Sequence, residues 1–422
     1  MKKVWGCKTP FFFDSAIRTH KIKMKQQKTN NWQIKKLGEV CKIIMGQSPP
    51  SDTYNENAKG MPFFQGKAEF TDLYPVVKKY CSKPTKIAEP LDILLSVRAP
   101  VGTTNIANIQ CCIGRGLAAI RFDNYKYGFY FLRSIQHELD SKGTGTTFRA
   151  ISGETIRETL IPYPNQETQH AIVSKIEELF SELDKGIAEL KTAQQQLKTY
   201  RQSVLKSAFE GKLTNDNVKE GELPDGWEWK TIKEISTLLG DGLHGTPKYD
   251  SNGEYYFING NNLNDGKIEI KENTKKVSKE EFEKYKKQLN NKTIFVSING
   301  SIGYTAFYND EPIILGKSAC YINIKEGIDK HYIRYIFTSQ RFTNYSISVA
   351  TGSTIKNVSL KSMREFEVPL PETIGEQHQI VQEIESRLSV ADKMEQSIQE
   401  SLQKAEALRQ SILKKAFCGE LV

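Results

Sequence analysis

The sequence of 422 residues has no apolar run approaching the roughly 20 residues a membrane helix needs; "LDILLSV" (91–97) is strand-sized. Its basic N-terminus offers only the three phenylalanines 11–13 as an apolar stretch, too short for the core of a secretory signal, so a cytoplasmic protein is expected. None of the seven cysteines forms a CxxC pair or has a histidine at zinc-finger spacing, which argues against a structural zinc site and for free, buried thiols. There is no GxxxxGK[ST] loop for an ATP-driven motor. An NPPY-like methylation tetrad is missing too; the nearest stretch, "SPPSDTY" (48–54), begins with serine. No catalytic residue and no metal ligand set stands out.

Strong charge of one sign is also lacking over most of the chain. The net +9 comes from residues 1–30, with eight Lys/Arg against one Asp/Glu, and from 31–165, with 17 against 12. Residues 166–215 balance at seven each, and 216–372 carry 21 against 22. Bulk charge alone is therefore weak evidence for nucleic-acid binding, for which a stripe of cations on one face matters more. At 38% hydrophobic and 26% charged, with 18 Tyr and 20 Phe, the chain is expected to fold, and its length suits two domains.

What the sequence does contain is an internal duplication. "GTGTTFRAIS" (143–152) returns as "ATGSTIKNVS" (350–359) at a shift of 207, which becomes 208 after one inserted residue. Over 168–213 the second copy repeats 19 of 46 residues, ending "RQSVLKSAFEGKL" in the first and "RQSILKKAFCGEL" in the second. Fainter echoes lie upstream. "WQIKKLGEV" (32–40) matches "WEWKTIKEI" (227–235), and "LLSVRAPVG" (94–102) matches "IFVSINGSIG" (294–303) at Ser96 and Ser297 and at Gly102 and Gly303.

After each "TG[ST]T" element the pattern turns helical. Apolar residues at Ile172, Ile176, Phe180, Leu183, Ile187 and Leu190 recur three or four apart, as in the seam of a coiled coil, and Ile380, Ile384, Leu388, Ala391, Leu408 and Ile412 belong to the same pattern in the second copy. No proline interrupts either stretch, and a helix from Glu167 to Phe209 would be about 65 Å long. Gly211 and Gly419 stand where helices end. If a pseudo-twofold relates the halves, the two helices pack antiparallel and hold two domains apart. Such an arrangement suits a two-part DNA target, because sites about 34–36 Å apart on B-DNA present the same face.

The doubled "IPYPNQETQHAIV" and "VPLPETIGEQHQIV" segments, the helix ending "RQSILKKAFCGEL" and the "ELPDGWEW" segment together resemble the specificity subunits of Type I restriction-modification enzymes, over almost all of residues 31–422. The resemblance implies an α+β fold of two mixed target-recognition domains separated by two long antiparallel coiled-coil helices. On that basis we expect an N-terminal extension over 1–30, read as a basic arm or as residues upstream of a start at Met24, and a first recognition domain over 31–166. A spacer helix over 167–213, a linker with the second domain over 214–372 and a second spacer helix over 373–422 follow. The family further implies recognition of an asymmetric bipartite site in double-stranded DNA. Two methyltransferase subunits and, for cleavage, restriction subunits are the implied partners, and a membrane is not. S-adenosylmethionine, ATP and magnesium are expected on those partners, with no cofactor in this chain. A self-contained methyltransferase or nuclease, and a coiled-coil scaffold that binds no DNA, are the alternatives.

Base reading requires Arg, Lys, amides or hydroxyls on loops that can enter a groove. The turn-rich segments 46–70 and 241–267 supply Gln47, Ser48, Tyr54, Gln65 and Lys67 in the first half, and His244, Lys248, Tyr249, Asn259, Asn261 and Asn262 in the second. Arg98 and Asn299 occupy matching places after a strand-like run, and Arg149 and Lys356 match beside the "TG[ST]T" element. That element is expected to be a turn ahead of helix caps at Ser152 and Ser359, because the first glycine, Gly143, becomes Ala350 in the repeat. His170 and His378 open the two helices at matching places and are read as cap or interface residues. Val173, Leu179 and Leu205 form a second apolar edge and are candidates for a partner interface.

Overall fold

The fold was taken from a computed structural model, which describes residues 32–145, 149–215, 218–219, 221–352 and 354–422. The basic segment 1–30 lies outside the described residues. The chain divides into two units, Met1–Leu190 with Glu400–Val422, and Lys191–Gln399.

In the first unit a four-stranded antiparallel sheet runs in the order Lys42–Met45, Leu117–Arg121, Ile93–Ser96, Thr104–Ile106. Its central strands are apolar without alternation from Leu117 to Ile120 and from Ile93 to Leu95, because both faces are covered. Ile93, Leu95, Ala118 and Ile120 face a core that also holds the helix Tyr125–Ser134 and parts of both long helices. Leu94, Leu117 and Ala119 face the opposite way, against Phe64 and Ile113. Those two residues belong to a five-stranded sheet in which Met61–Phe64 runs parallel to Cys111–Ile113.

The second unit repeats this plan. Ser236–Asp241, Ala319–Ile324, Thr293–Ser297 and Thr305–Phe307 form the antiparallel sheet, and Tyr255–Ile258 lies parallel to Ile313–Leu315 in the smaller one. Ile294, Val296 and Ile322 enter one core, and Phe295 and Tyr321 the other. A two-stranded ribbon closes each unit, Gln33–Lys36 with Leu160–Tyr163 and Trp227–Thr231 with Glu367–Pro371. Both ribbons are tied to their helices by a buried tyrosine: the Tyr127 hydroxyl donates to the Pro162 carbonyl at 2.5 Å and that of Tyr332 to Pro369 at 2.7 Å.

Each ribbon leads into a 44-residue helix, Gln166–Phe209 or Ile374–Phe417. The first starts one residue before the expected Glu167. In the "QH" pair that opens each repeat the glutamine is buried and hydrogen-bonded and the histidine exposed, that of the second repeat lying 3.6 Å from Asp329. Buried Gln169 donates to the Pro164 carbonyl at 3.0 Å, and buried Gln377 donates to Pro371 at 3.2 Å while accepting from the Asp329 amide at 2.9 Å. His170 and His378 are exposed.

Both helices contribute to both units. Within the second, Arg201 forms ion pairs with Asp392 at 2.7 Å and Glu395 at 2.9 Å, while further along Thr214 and Trp227 contact Glu376. Rising numbers on one side meet falling numbers on the other, so these segments run antiparallel. Within the first unit Arg409 pairs with Asp184 and covers the Phe180 ring at 4.8 Å. The apolar seam is uneven: Ile172, Ile176, Ala391 and Ile412 are buried, Leu183, Ile187 and Leu190 are half-buried, and Leu408 is 50% exposed.

Candidate nucleic-acid interface

The duplicated "TG[ST]T" element builds the same backbone device in each unit. Gly145 and Gly352 adopt φ of 113° and 95°, a region in which a side chain is strained. The turn they make brings the strands on either side together: Thr144 exchanges both backbone hydrogen bonds with Ala150 at 3.0 Å, and Thr351 does so with Asn357 at 3.0 and 2.9 Å. Ser152 and Ser359 then cap the following short helices, each accepting from an amide three residues on at 3.1 and 3.0 Å. The caps at Ser152 and Ser359 are as expected, and the backbone reverses between Thr144 and Ala150 and between Thr351 and Asn357; residues 146–148 and 353 lie outside the described residues.

Against the outer side of this turn lies the loop carrying Arg98 or Asn299. The Ala99 amide donates to the Arg149 carbonyl at 2.9 Å and the Ile151 amide to Val97 at 3.0 Å; the counterparts are Gly300 to Lys356 at 2.9 Å and Val358 to Ile298 at 2.8 Å. Residues far apart in sequence are therefore brought onto neighbouring segments, Arg98 opposite Ala150 next to Arg149, and Asn299 opposite Asn357 next to Lys356. The loops are pinned from below by Ser96 and Ser297, whose hydroxyls donate to the carbonyls of Arg98 at 2.9 Å and Ser301 at 2.7 Å. Gly102 and Gly303 close them with φ of 86° and 93°.

A Cβ on Gly352 would sit 2.2 Å from the Ile355 carbonyl oxygen, on top of the unfavourable φ. Gly352→Ala is accordingly expected to lower the stability of the second unit by about 1–3 kcal/mol. It should also weaken DNA binding more than its melting temperature alone explains, since it displaces Lys356 and Asn357; titration of labelled DNA beside thermal denaturation checks both.

A second pair of loops meets at a turn that the sequence reading passed over. In "GRG" (114–116) and "GKS" (316–318) a cation sits at the tip of a turn between two buried strands, Arg115 in one unit and Lys317 in the other, both exposed. The loop after the first sheet strand is held beside the turn: the Gln47 amide donates to Ile113 at 3.1 Å and the Leu243 amide to Leu315 at 2.7 Å. Glycine is required at the crossing, because a Cβ on Gly46 or Gly242 would lie 2.2 Å from a backbone oxygen. Gln65 and Asn259 come to the same turn, the first accepting from the Gly116 amide at 3.2 Å, the second from the Ser318 hydroxyl at 3.1 Å. A cation flanked by small residues directly after an apolar strand was the available signal, and it was overlooked because neither motif repeats the other letter for letter.

Of the other candidates, Gln47, Gln65, Lys67, His244, Lys248, Tyr249 and Asn261 are exposed. Arg98, Arg115, Lys67, Lys317 and Lys356 form no ion pair among the described residues, whereas Arg149 lies 3.8 Å from Asp140 and His244 2.5 Å from Asp241. Asn259, Asn261 and Asn299 line one polar cavity of about 570 Å³ with Ser301, Tyr304 and Ser318. Ser48 is half-buried, and its hydroxyl accepts from the Arg115 amide at 3.2 Å.

Some expectations fail on burial or on contacts already made inside the protein. Asn262 is 6% exposed; its amide donates to the Glu269 carbonyl and Thr274, and its oxygen accepts from the Asn259 amide, so every strong hydrogen-bonding edge is used inside the protein. Tyr54 stacks on Phe63 at 4.7 Å and donates to the Pro49 carbonyl at 2.8 Å, a packing role that leaves no free donor. Val173 and Leu205, expected at a partner interface, are 5% and 4% exposed and belong to the two cores. Leu179 alone of the three stays half-buried, lining a groove with Leu183, Leu408 and Ile412. Cys81, Cys111, Cys112 and Cys320 are buried free thiols, and burial pushes those of Cys111 and Cys320 up to about 12; Cys41 and Cys418 are half-buried. No helix of the described residues is long and apolar enough to cross a membrane.

A fold built twice, each time presenting cations and amides on glycine-shaped loops beside a buried sheet, is that of a DNA-recognition protein. The model for the Type I restriction modification DNA specificity domain matches residues 29–192 and 224–404, and the chain belongs to that family. It is a Type I specificity subunit, the chain that carries DNA sequence recognition. A putative type I restriction enzyme MjaX specificity subunit of Methanocaldococcus jannaschii is 39% identical over 189 residues, which are 43% of this chain and 44% of that one. The EcoBI specificity subunit of Escherichia coli is 27% identical over 419 residues, covering 93% of this chain and 86% of its own. A solved chain of a type I R-M system superposes with a TM-score of 0.68 at 19% identity, over 93% of this chain and 99% of its own, which shows the likeness of fold.

Proposed function

We propose that this subunit recognises an asymmetric two-part site in double-stranded DNA, each unit reading one part, and that it directs modification and restriction subunits to that site. The supporting observation is that one loop framework is built in both units and filled with different groups: Arg98, Arg115 and Arg149 stand where the second unit has Asn299, Lys317 and Lys356. Equal frameworks dock alike on DNA, while unequal side chains select different bases, so the two parts of the site differ.

Chemistry is assigned to the partners. Two methyltransferase subunits bring S-adenosylmethionine, and restriction subunits bring ATP and magnesium chemistry; this chain, working in the cytoplasm, supplies the address. The exposed cations make backbone contacts, whose strength depends on salt, and the amides and Arg98 carry sequence information. The test is methyl transfer to a DNA library by the chain with its methyltransferase partner and by each alone. Sequence-restricted methylation by the complex and none by this chain is expected; transfer by the isolated chain contradicts the assignment.

A further inference from the structure

We propose that Arg98 reads a guanine in the part of the site contacted by the first unit, and that Asn299, at the matching place in the second unit, reads an adenine. The proposal rests on these faces being the DNA-reading faces, and adds which base each selects.

The two positions share one frame. Each is the residue bridged to the strand that follows the "TG[ST]T" turn, Arg98 to Ala150 and Asn299 to Asn357. Both start from a backbone fixed on two sides, by the neighbouring strand and by the serine beneath the loop, so the side chain is delivered from a defined origin. What differs is the chemistry at the tip. Arg98 is exposed and makes no ion pair among the described residues, which leaves its planar fork of donors open. That fork matches the paired O6 and N7 acceptors on the major-groove edge of guanine.

Asn299 is shorter and half-buried, and its amide nitrogen donates to the Asn357 oxygen at 3.3 Å. An amide nitrogen carries two hydrogens. One held by Asn357 fixes the amide plane and leaves the other beside the oxygen, a donor and acceptor side by side that complement N7 and N6 of adenine. The first unit carries Ala150 at the place of Asn357 and has no such clamp, consistent with a long cation that needs none. Asn299 also lines the polar cavity with Asn259 and Asn261, on the open side of the loop.

The experiment selects bound sequences from a randomised double-stranded DNA library with the full chain in complex with its methyltransferase partner. For the wild type, a two-part motif with a G·C pair fixed in one part and an A·T pair fixed in the other is expected. Arg98→Ala should relax one G·C position in one part, by roughly 10- to 100-fold in relative preference, and leave the other part unchanged. Arg98→Lys, which keeps the charge but loses the fork, should relax the same position with overall affinity largely kept. Asn299→Ala and Asn357→Ala should each relax one A·T position in the other part, Asn357 acting through the amide it holds. If Arg98→Ala weakens all sequences alike and Arg98→Lys restores them, Arg98 is a phosphate contact and the proposal is wrong. Relaxation of a base pair other than those named overturns it too. A wild-type complex that selects no two-part motif overturns the underlying reading as well, and is distinguished by failing before any variant is made.

Discussion

Alanine in place of Phe417 is expected to destabilise the first unit by about 3–5 kcal/mol, against total stabilities for single domains of about 5–15 kcal/mol. The residue ends the second long helix, nearly 300 positions from the rings it touches: Tyr127 at 5.2 Å and Phe131 at 5.4 Å, both edge-on. It is 8% exposed and continues a stripe with Ile412, Leu413 and Ala416 that fills the core beneath the central sheet. Removing the ring deletes buried apolar surface and leaves a cavity, which is why the range for aromatic truncation applies. Ending the chain after Gln399 removes all four side chains and should leave the first unit unfolded. Limited proteolysis of the full chain reads the outcome: Phe417→Ala should direct early cleavage into residues 32–190, with 191–399 resisting longer. Wild-type resistance of both units would show that the helix end is not part of that core.

The double variant Arg115→Ala with Arg149→Ala is expected to weaken DNA binding by at least about tenfold, equally on cognate and unrelated sequences. Both side chains are exposed on loops of the first unit that we propose face DNA, and Arg149 has only a distant partner in Asp140. Contacts of that sort meet phosphates, so the slope of log affinity against log salt should fall in magnitude by about two. Fluorescence anisotropy of the methyltransferase complex on labelled DNA at several salt concentrations measures slope and affinity together. An unchanged slope would place both guanidiniums off the DNA. This readout is independent of Arg98, whose variants should alter base preference while Arg115 and Arg149 variants do not.

The duplication made the architecture legible before any coordinates. Long uninterrupted helices, turns at "TG[ST]T" and serine caps follow from periodicity and from which residue types survive the repeat, and the structure carries all three. Even so, the heptad seam predicted more burial than exists: Leu408 sits on the seam and is half exposed, because an apolar period records one face of a helix, not how much of that face a neighbour covers. The partner edge failed for the related reason that Val173 and Leu205 are buried by the sheet domains, whose packing no helical pattern reveals.

The candidate site was half legible. Arg98, Arg149, Asn299 and Lys356 were singled out because their places recur, although nothing in the sequence showed that position 98 lies against 150. Asn262 and Tyr54 looked like readers of bases by type alone; burial with completed hydrogen bonds speaks against the first and stacking with a spent hydroxyl donor against the second, and these properties depend on contacts made elsewhere in the fold. Arg115 and Lys317 were missed since their turn is defined by paired strands remote in sequence, and the glycines that mark it are Gly-x-Gly in one unit and Gly-x-Ser in the other.

The most direct test of the account exchanges residues 31–165 for the corresponding segment of another specificity subunit and maps methylated positions genome-wide in cells expressing the methyltransferase partner. The account predicts that one part of a two-part motif changes and the other is kept base for base; an unchanged motif, or one altered in both parts, contradicts it.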